Sequence, residues 1–210
     1  MIQEIINARL KENNETREVT SWHPSRLGSC LTGVYLERLG VPPDREFDAQ
    51  TLLSFWLGRT YEKAIAELLA GDNKFEWQVP VKWTEYDISG KIDTLYLIEG
   101  NIPHEIKSTN SDAFKRIKSS GPKRQHQMQL WTYLKCLNLP EGNLVYGDRG
   151  WGGIAEYVVL LADKELENEV VEELEILKKA WETKVAPPIT FDEKDWRAKY
   201  CRFHQKCLTQ

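Results

Sequence analysis

Two acids and a lysine interrupt segments that otherwise have the pattern of buried β-strands. The chain runs ISGKIDTLYLI from residue 88 and NIPHEIKST from residue 101, which sets Asp93, Glu105 and Lys107 in apolar surroundings. Residues two apart on a strand share a face, so Glu105 and Lys107 point the same way, and a neighbouring strand would bring Asp93 beside them. Two partly buried carboxylates at short range repel strongly unless a cation neutralises them. Any fold of this chain must therefore satisfy that pair of acids.

Two interpretations satisfy it. Carboxylate oxygens suit Mg²⁺ or Mn²⁺, and a nearby ammonium can orient a water or stabilise charge developing on a phosphate. Alternatively, the three groups form an ordinary ion pair on the solvent face of an edge strand. Gly90 favours the first interpretation, because a glycine three residues before Asp93 lets a backbone or a ligand approach closely.

The rest of the sequence predicts one α/β domain. Residues 1–70 have helical apolar spacing, three strand-like segments follow, and a helix over 123–139 precedes two more strands. A strongly charged helix with an apolar stripe is predicted over 163–185. This order is typical of a central mixed sheet flanked by helices.

Composition excludes some classes and leaves others open. The net charge of −4 argues against a surface coated with positive charge, although a local basic groove remains compatible with it. No apolar run approaches the roughly 20 residues that span a bilayer, and the polar N-terminus carries no signal-peptide pattern. We therefore expect a cytoplasmic protein without a membrane partner.

Four short motifs follow one another in a specific order. In chain order, GRTYE ends in Glu62 on a predicted helix, and GKID ends in Asp93 on a predicted strand. EIK then runs from Glu105 to Lys107 on the next predicted strand, and QLWTY runs from Gln129 to Tyr133 on a predicted helix. Together they resemble the PD-(D/E)xK nuclease superfamily. Within it the chain is most similar to the RecB-type exonucleases, including the CRISPR-associated RecB-like nucleases and their phage relatives.

The resemblance implies a restriction-endonuclease-like core and an active site. Asp93 and Glu105 would hold Mg²⁺ or Mn²⁺ with the Ile106 carbonyl, and Glu62 would complete the site. Lys107 would be the catalytic lysine. Gln129 and Tyr133, which lie four apart on one helical face, would contact DNA. Many RecB-type members carry histidine where Glu62 stands, and a carboxylate there still serves Mg²⁺.

The resemblance also implies a single nuclease domain over residues 1–210. We expect an N-terminal helical segment over 1–50 that carries the first cysteine and a core over 51–162. A C-terminal helix and a tail with cysteines and a histidine would occupy 163–210.

The cysteines suggest a second site that joins the two ends of the chain. Cysteine-rich members of the resembled family hold a 4Fe–4S cluster with one cysteine before the core and three after it as C-x2-C-x5-C. Here Cys30, Cys201 and Cys207 match that pattern, and Ala198 stands where the remaining cysteine is expected. His204 is the nearest candidate for a fourth ligand of a cluster.

Two alternatives to the cluster remain. Zinc held by the three cysteines and His204 would form a tetrahedral set, and the thiols can also be simply buried without metal. In either metal-bound form the role would be structural. Cys136 matches no position of the pattern and is interpreted as a small core residue.

Further DNA contacts are predicted from basic residues near the acids. The stretch KSTNSDAFKRIKSSGPKR begins at Lys107 and carries Lys115, Lys123 and Arg124. A groove that binds the phosphates of a DNA strand requires such positive charges. Arg26 is another candidate phosphate contact. The alternative for the stretch is a solvated loop.

These inferences lead to a divalent-metal-dependent exonuclease that acts on DNA ends, with single strands as one candidate substrate. Recombination, repair, phage replication and CRISPR adaptation are candidate roles, with a homo-oligomer or a complex of such a pathway as partner. The alternative is a non-catalytic DNA-binding or assembly subunit stabilised by iron–sulfur or zinc. A small-molecule metallohydrolase is disfavoured, because the four histidines form no metal-binding pattern.

Overall fold

A five-stranded mixed sheet forms the centre of the described part of the chain. The computed structural model describes residues 1–14, 18–70, 75–96, 102–189, 191 and 195–208. The strands are β1 Phe75–Trp83, β2 Ile88–Tyr96, β3 Pro103–Thr109, β4 Glu141–Asp148 and β5 Ile154–Leu160. They lie side by side in chain order, and all neighbouring pairs are antiparallel except β3 and β4. The predicted α/β fold with a central mixed sheet is confirmed.

Helices cover both faces of this sheet. They are α1 Ile2–Glu12, α2 Leu31–Arg38, α3 Ala49–Ala70, α4 Ser111–Ser120, α5 Arg124–Leu137, α6 Lys164–Thr183, α7 Trp196–Tyr200 and α8 His204–Leu208. Within the described ranges, none is both long enough and apolar enough to cross a membrane.

One helix differs from the sequence-based expectation. The parallel pair β3 and β4 needs a crossover, and α4 and α5 together supply it. The basic stretch after β3 is therefore not a solvated loop over its whole length, because α4 occupies most of it. Asn110 caps this helix by accepting a hydrogen bond from the Ala113 N–H at 2.8 Å, while Phe114 and Ile117, three residues apart, are buried.

Alternating side chains divide the sheet between two helices. Ile106 and Val145 pack on Ala66 of α3, whereas Leu144 belongs to the main core with Trp131 of α5. Because successive strand residues point to opposite faces, α3 and α5 flank the same strands from opposite sides. The predicted stripe of α6 is also buried in the main core, through Leu166, Val170, Leu174 and Leu177.

A tyrosine and a glycine fix how α3 sits on the sheet. A side chain at Gly147 of β4 would place its Cβ only 2.2 Å from the ring of Tyr61, so only a glycine accommodates this packing. The contact sets the rotation of α3 about its axis. Glu62, the next residue, thereby takes a fixed direction relative to the strands.

Candidate active site

Asp93 stands where the sheet pairing is interrupted on both sides. β1 and β2 pair at Trp77 with Thr94 and at Val79 with Ile92, but not at the position between them. There Gln78 adopts a φ of 55°, a left-handed conformation that is unfavourable for a residue with a side chain. Such strain persists only where the surrounding structure enforces it, and it is concentrated at functional sites.

On the other side, β2 separates from β3. These strands pair at only two positions, Thr94 with His104 and Leu95 with Pro103. Beyond them the Asp93 carboxylate accepts the Ile106 N–H at 3.0 Å through one oxygen, and the Gln78 amide at 3.2 Å through the other. The aspartate thus occupies the gap between the strands, and burial raises its pKa although the charge of Lys107 opposes the shift.

Glu105 lies deeper in the same gap and is held by α5 and by its own strand. It is only 2% exposed, and one carboxylate oxygen accepts from Lys107 Nζ at 2.5 Å and from Gln129 Nε2 at 2.7 Å. Gln129 also donates to the hydroxyl of Tyr133 at 3.1 Å. Burial and the charge of Asp93 raise the pKa of Glu105 to about 8.

Glu62 and Lys107 complete the charged cluster. Burial, followed by the charge of Asp93, raises the pKa of Glu62 on α3 to about 7. Burial lowers the pKa of Lys107, but the charges of Glu105 and Asp93 outweigh it and hold that pKa above its ordinary value. Three carboxylates therefore face a single permanent ammonium, and the cluster has an excess of negative charge when it is ionised.

The free oxygen of Glu105 fits a divalent cation at this position. Within the described residues, Oε2 of Glu105 is buried and has no hydrogen-bond partner, which is costly for a carboxylate. Carboxylate oxygens are the ligands that Mg²⁺ and Mn²⁺ prefer. The ligand oxygens of the three carboxylates do not, however, all lie within 4.8 Å of one another. In the described part of the chain, only the thiols of Cys30, Cys201 and Cys207 come this close together.

An open cleft gives access to these groups. Its volume is about 960 Å³, and its lining includes Glu62, Asp93, Glu105, Lys107, Gln129 and Tyr133. Three exposed cations, Arg59, Lys82 and Lys91, also line it. Sequence reasoning missed them, although Arg59 stands one helical turn before Glu62 and Lys91 lies two residues before Asp93, on the same strand face. No comparable sequence signal marked Gln78.

The structure separates the predicted DNA contacts into groups. Gln129 and Tyr133 line the cleft but are 5% and 1% exposed, and both bond within the carboxylate cluster. Gly90 makes this possible, because a Cβ there would lie 3.3 Å from the Tyr133 ring. The close approach predicted at this glycine is therefore made by the protein itself.

The other four predicted contacts lie outside the lining of the cleft. Arg124 forms a two-pronged ion pair with Glu169, with both distances at 2.8 Å, and Arg26 pairs with Glu37 at 2.9 Å. Lys115 and Lys123 are exposed, on α4 and immediately before α5. The structure thus does not bring these four together with the acids.

The three predicted cysteines meet at a second site. Sγ of Cys207 lies 3.7 Å from Sγ of Cys30 and 3.8 Å from that of Cys201, and all three are buried. Cys30 caps α2 by accepting the Gly33 N–H at 3.4 Å. Hydrogen bonds from Cys201 and Cys207 lower the pKa of Cys30, whereas the contacts with Cys201 and Cys30 raise the pKa of Cys207, so without a metal Cys30 is the thiol that ionises first. His204 and Ala198 line the same cavity of about 220 Å³, but His204 lies outside the trio.

These thiol distances fit a single metal ion. Zn–S bonds of about 2.3 Å place two thiolates of a tetrahedral site about 3.8 Å apart. In a four-iron cluster each cysteine binds a different iron, so its thiolates stand further apart than the ligands of one ion. With Ala198 in place of a fourth cysteine, the donor set fits the cluster less well.

Comparisons with known proteins place this geometry in a fold family. No family model matches the sequence, and no curated protein matches it. The crystal structure of SSO0001 superposes with a TM-score of 0.63 at 24% identity, covering 99% of this chain and 96% of that one.

An alkaline exonuclease (LHK-Exo) from Laribacter hongkongensis superposes with a TM-score of 0.60 at 16% identity, over 87% of this chain and 94% of that one. The complex of LHK-Exo with dAMP gives 0.59 at 17% identity, with the same coverage. At these identities the likeness establishes the fold alone. It confirms, as the four motifs predicted, that the chain has the fold of these exonuclease structures.

Proposed function

We propose that the chain is a divalent-metal-dependent DNA exonuclease and that the cleft beside Asp93 is its active site. The observation that carries the proposal is the buried, unpartnered oxygen of Glu105 among three carboxylates and a lysine. Nothing in ordinary packing favours such a cluster, whereas a hydrolase that binds a divalent ion requires one. The name of one structural relative, the alkaline exonuclease LHK-Exo, of which one structure contains dAMP, supports the same reaction class.

The residues of the cleft would divide the work as follows. Asp93, Glu105 and the Ile106 carbonyl would hold Mg²⁺ or Mn²⁺, with Glu62 completing the site. Bound there, the ion supplies a water of lowered pKa and a Lewis acid for the phosphodiester. Lys107 remains protonated beside Glu105, where it can position that water or stabilise charge on the phosphate.

Two further groups would prepare the site for a nucleic acid. Gln129 orients Glu105 through a hydrogen bond, and Tyr133 accepts a second hydrogen bond from the same amide, so in our proposal they act on the carboxylate more directly than on DNA. Arg59, Lys82 and Lys91 would attract the sugar–phosphate backbone to the cleft mouth. The net charge of −4 then coexists with a locally basic entrance.

The finer biological assignment follows from this reaction class. We propose DNA as the substrate partner, cleavage from an end, and action in the cytoplasm. Recombination, repair, phage replication and CRISPR adaptation all use such an enzyme, alone, as a homo-oligomer or within a complex. The sequence resemblance to CRISPR-associated nucleases supports a role in CRISPR adaptation. The resemblance to their phage relatives equally supports a role in phage replication.

The thiol site would hold a structural metal, and we propose one zinc ion in preference to a 4Fe–4S cluster. The thiol separations of 3.7 and 3.8 Å support this choice, because they match the edge of a zinc–thiolate tetrahedron. His204 lines the cavity three residues before Cys207 and would be the fourth ligand. The ion would connect α2 to the C-terminal helices.

Degradation of end-labelled single- and double-stranded DNA with Mn²⁺, Mg²⁺ or EDTA tests the nuclease proposal. We expect metal-dependent cleavage, and a loss of about 1,000-fold or more in Asp93→Ala and Lys107→Ala, because both remove transition-state charge stabilisation. Lys164→Ala, which changes an exposed lysine on α6, is the matched control and should retain full activity. A folded wild-type protein that cleaves no DNA with any metal would favour the non-catalytic DNA-binding subunit instead.

A further inference from the structure

A second surface adjoins the cleft along α3. A concave region of about 500 Å³ is lined by Leu10 and two asparagines at the end of α1, and by Leu52, Phe55, Trp56 and Arg59 of α3. Phe55 and Trp56 are 46% and 49% exposed, which is unusual for large aromatic side chains. Arg59 lines both this region and the cleft, so the two surfaces are continuous.

The spacing along the helix connects these residues to the active site. Trp56, Arg59 and Glu62 follow one another at intervals of three residues, so each neighbours the next and is displaced from it by about 60° around α3. At about 1.5 Å rise per residue, Trp56 is about 9 Å from Glu62 along the helix axis. Stacked nucleotides rise about 3.4 Å each along a strand, so the gap corresponds to two or three nucleotides.

The chemistry of the surface suits the bases of a single strand. Aromatic faces stack on bases of any sequence, and Asn13 and Asn14 offer amide donors and acceptors beside them. No acidic residue is among the described residues that line the region, and Arg59 supplies a positive charge at the side of the cleft. The two asparagines and Arg59 thus give the region a polar part, which a groove for the apolar face of a protein helix lacks.

Phe55 is held in place before any ligand arrives. Its ring packs edge to face against that of Phe47, with the two ring centres 5.1 Å apart. The Arg202 guanidinium in turn lies 4.2 Å from the centre of the Phe47 ring. A rigid aromatic ring loses little conformational entropy when a base stacks on it. Trp56, the more exposed of the two, then provides the larger free face.

We propose that Phe55 and Trp56 form a stacking surface for single-stranded DNA, on which bases two or three nucleotides from the cleaved phosphate rest. This inference rests on the proposed function for the position of that phosphate. It also specifies the substrate, because paired bases in a duplex do not present their faces for stacking. The reactive end of the DNA must therefore be single-stranded over these nucleotides.

Binding of short oligo-dT strands, with 2-aminopurine placed at successive positions from the end, tests the proposal. The measurement is made with Ca²⁺, so that binding is observed without turnover. We expect quenching at one or two adjacent positions in the wild type. Trp56→Ala should lose this quenching and bind the strand about 10-fold more weakly.

Two variants separate stacking from other roles. Trp56→Phe retains an aromatic face and should bind almost as the wild type, whereas Trp56→Leu, which is apolar but not aromatic, should behave as the alanine variant. Trp151→Ala, at an 86% exposed tryptophan next to β4, is the matched control and should leave binding unchanged. Unchanged affinity in folded Trp56→Ala would overturn the stacking surface.

The outcomes also separate this proposal from the nuclease itself. If the wild type cleaves DNA and Trp56→Ala binds single strands as tightly as the wild type, the stacking surface is refuted and the nuclease proposal stands. A protein that binds single strands through Trp56 but never cleaves them refutes the nuclease alone. If Trp56→Ala changes only the sedimentation of the protein, the region is a contact between copies of the chain, and the stacking surface is refuted.

Discussion

The carboxylate cleft and the thiol site are both clusters of like groups, but they are built on opposite principles. The cleft gathers Glu62, Asp93 and Glu105 on long elements of the sheet core, where the groups repel one another and one oxygen has no partner. The thiol site gathers Cys30, Cys201 and Cys207 on the caps and short helices at its edge, where the groups bond to one another.

This difference indicates which cluster serves stability and which serves chemistry. Repelling charges persist only when the rest of the fold enforces them, as the strained Gln78 and the separated strands do at Asp93. The thiols instead bring α2 together with the C-terminal helices, and the proposed ion would hold these segments in place. We expect mutations in the cleft to cost activity and mutations of the thiols to cost stability.

The largest effect on stability should come from removing a thiol. Cys207→Ser should lose the bound ion and lower the free energy of unfolding by about 3 kcal/mol or more, because the long-range cross-link is lost. DNA cleavage per folded molecule should be unchanged. Metal analysis and thermal unfolding measure both, with one zinc per chain expected in the wild type.

Cys136→Ser is the matched control, since Cys136 lies outside the trio, and it should keep both the ion and the stability. A brown wild-type protein that contains iron and sulfide would refute the zinc assignment. Equal stability of Cys207→Ser and the wild type would remove the contrast between the two sites altogether.

A smaller effect should appear when pH is varied without added Mg²⁺ or Mn²⁺. The folded pKa values of Glu62 and Glu105, about 7 and about 8, exceed the ordinary value of 4.5, so the folded state holds protons that the unfolded state has released. Their contribution to stability should therefore be fully present below about pH 4.5 and be lost as the pH rises through the folded values to about pH 8. Denaturant titrations across this range measure the change.

Glu105→Gln sharpens this test. Burial also raises the pKa of Glu173 on α6 to about 7, so this residue likewise makes the protein less stable as the pH rises. The variant retains Glu173 and should keep that part of the decline. The variant should be more stable than the wild type near pH 8 and show a shallower decline. Saturating Mn²⁺ should likewise flatten the wild-type profile, and a wild-type profile that is flat without metal would contradict the electrostatic account.

The smallest effect should follow loss of the Gln129 amide. Gln129→Leu removes a hydrogen bond that orients Glu105, and it should reduce cleavage about 10- to 100-fold and raise the Mn²⁺ concentration needed for half-maximal activity. Tyr133→Phe, which keeps the ring, should have a weaker effect. A variant with unchanged Mn²⁺ dependence but weaker DNA binding would instead support the direct DNA contact predicted from the sequence.

Local sequence patterns predicted the sheet, because alternating apolar residues and turn residues fix strands over short distances. They also set Glu105 and Lys107 on one face, which depends only on strand geometry. They did not predict α4, because the basic residues there obscured a short buried face made by Phe114 and Ile117.

Tertiary geometry accounts for what the sequence could not supply. Gln78 has a strained backbone where the pairing of β1 with β2 skips one position, and no residue pattern encodes that interruption. Gln129 and Tyr133 were assigned to DNA, and only the packing of α5 on β3 shows how close they lie to Glu105. The choice between zinc and a cluster likewise depends on thiol distances of 3.7 and 3.8 Å.

The thiol site also has a consequence for how the protein is made. Cys207 follows Cys30 by 177 positions, so a ribosome adding 5–20 residues per second produces it roughly 10 to 35 seconds later. During that interval the sheet and its carboxylates are synthesised, while Cys30 waits without its partners. We therefore expect the proposed ion to bind only after Cys207 has been synthesised, which is late relative to the sheet and its carboxylates.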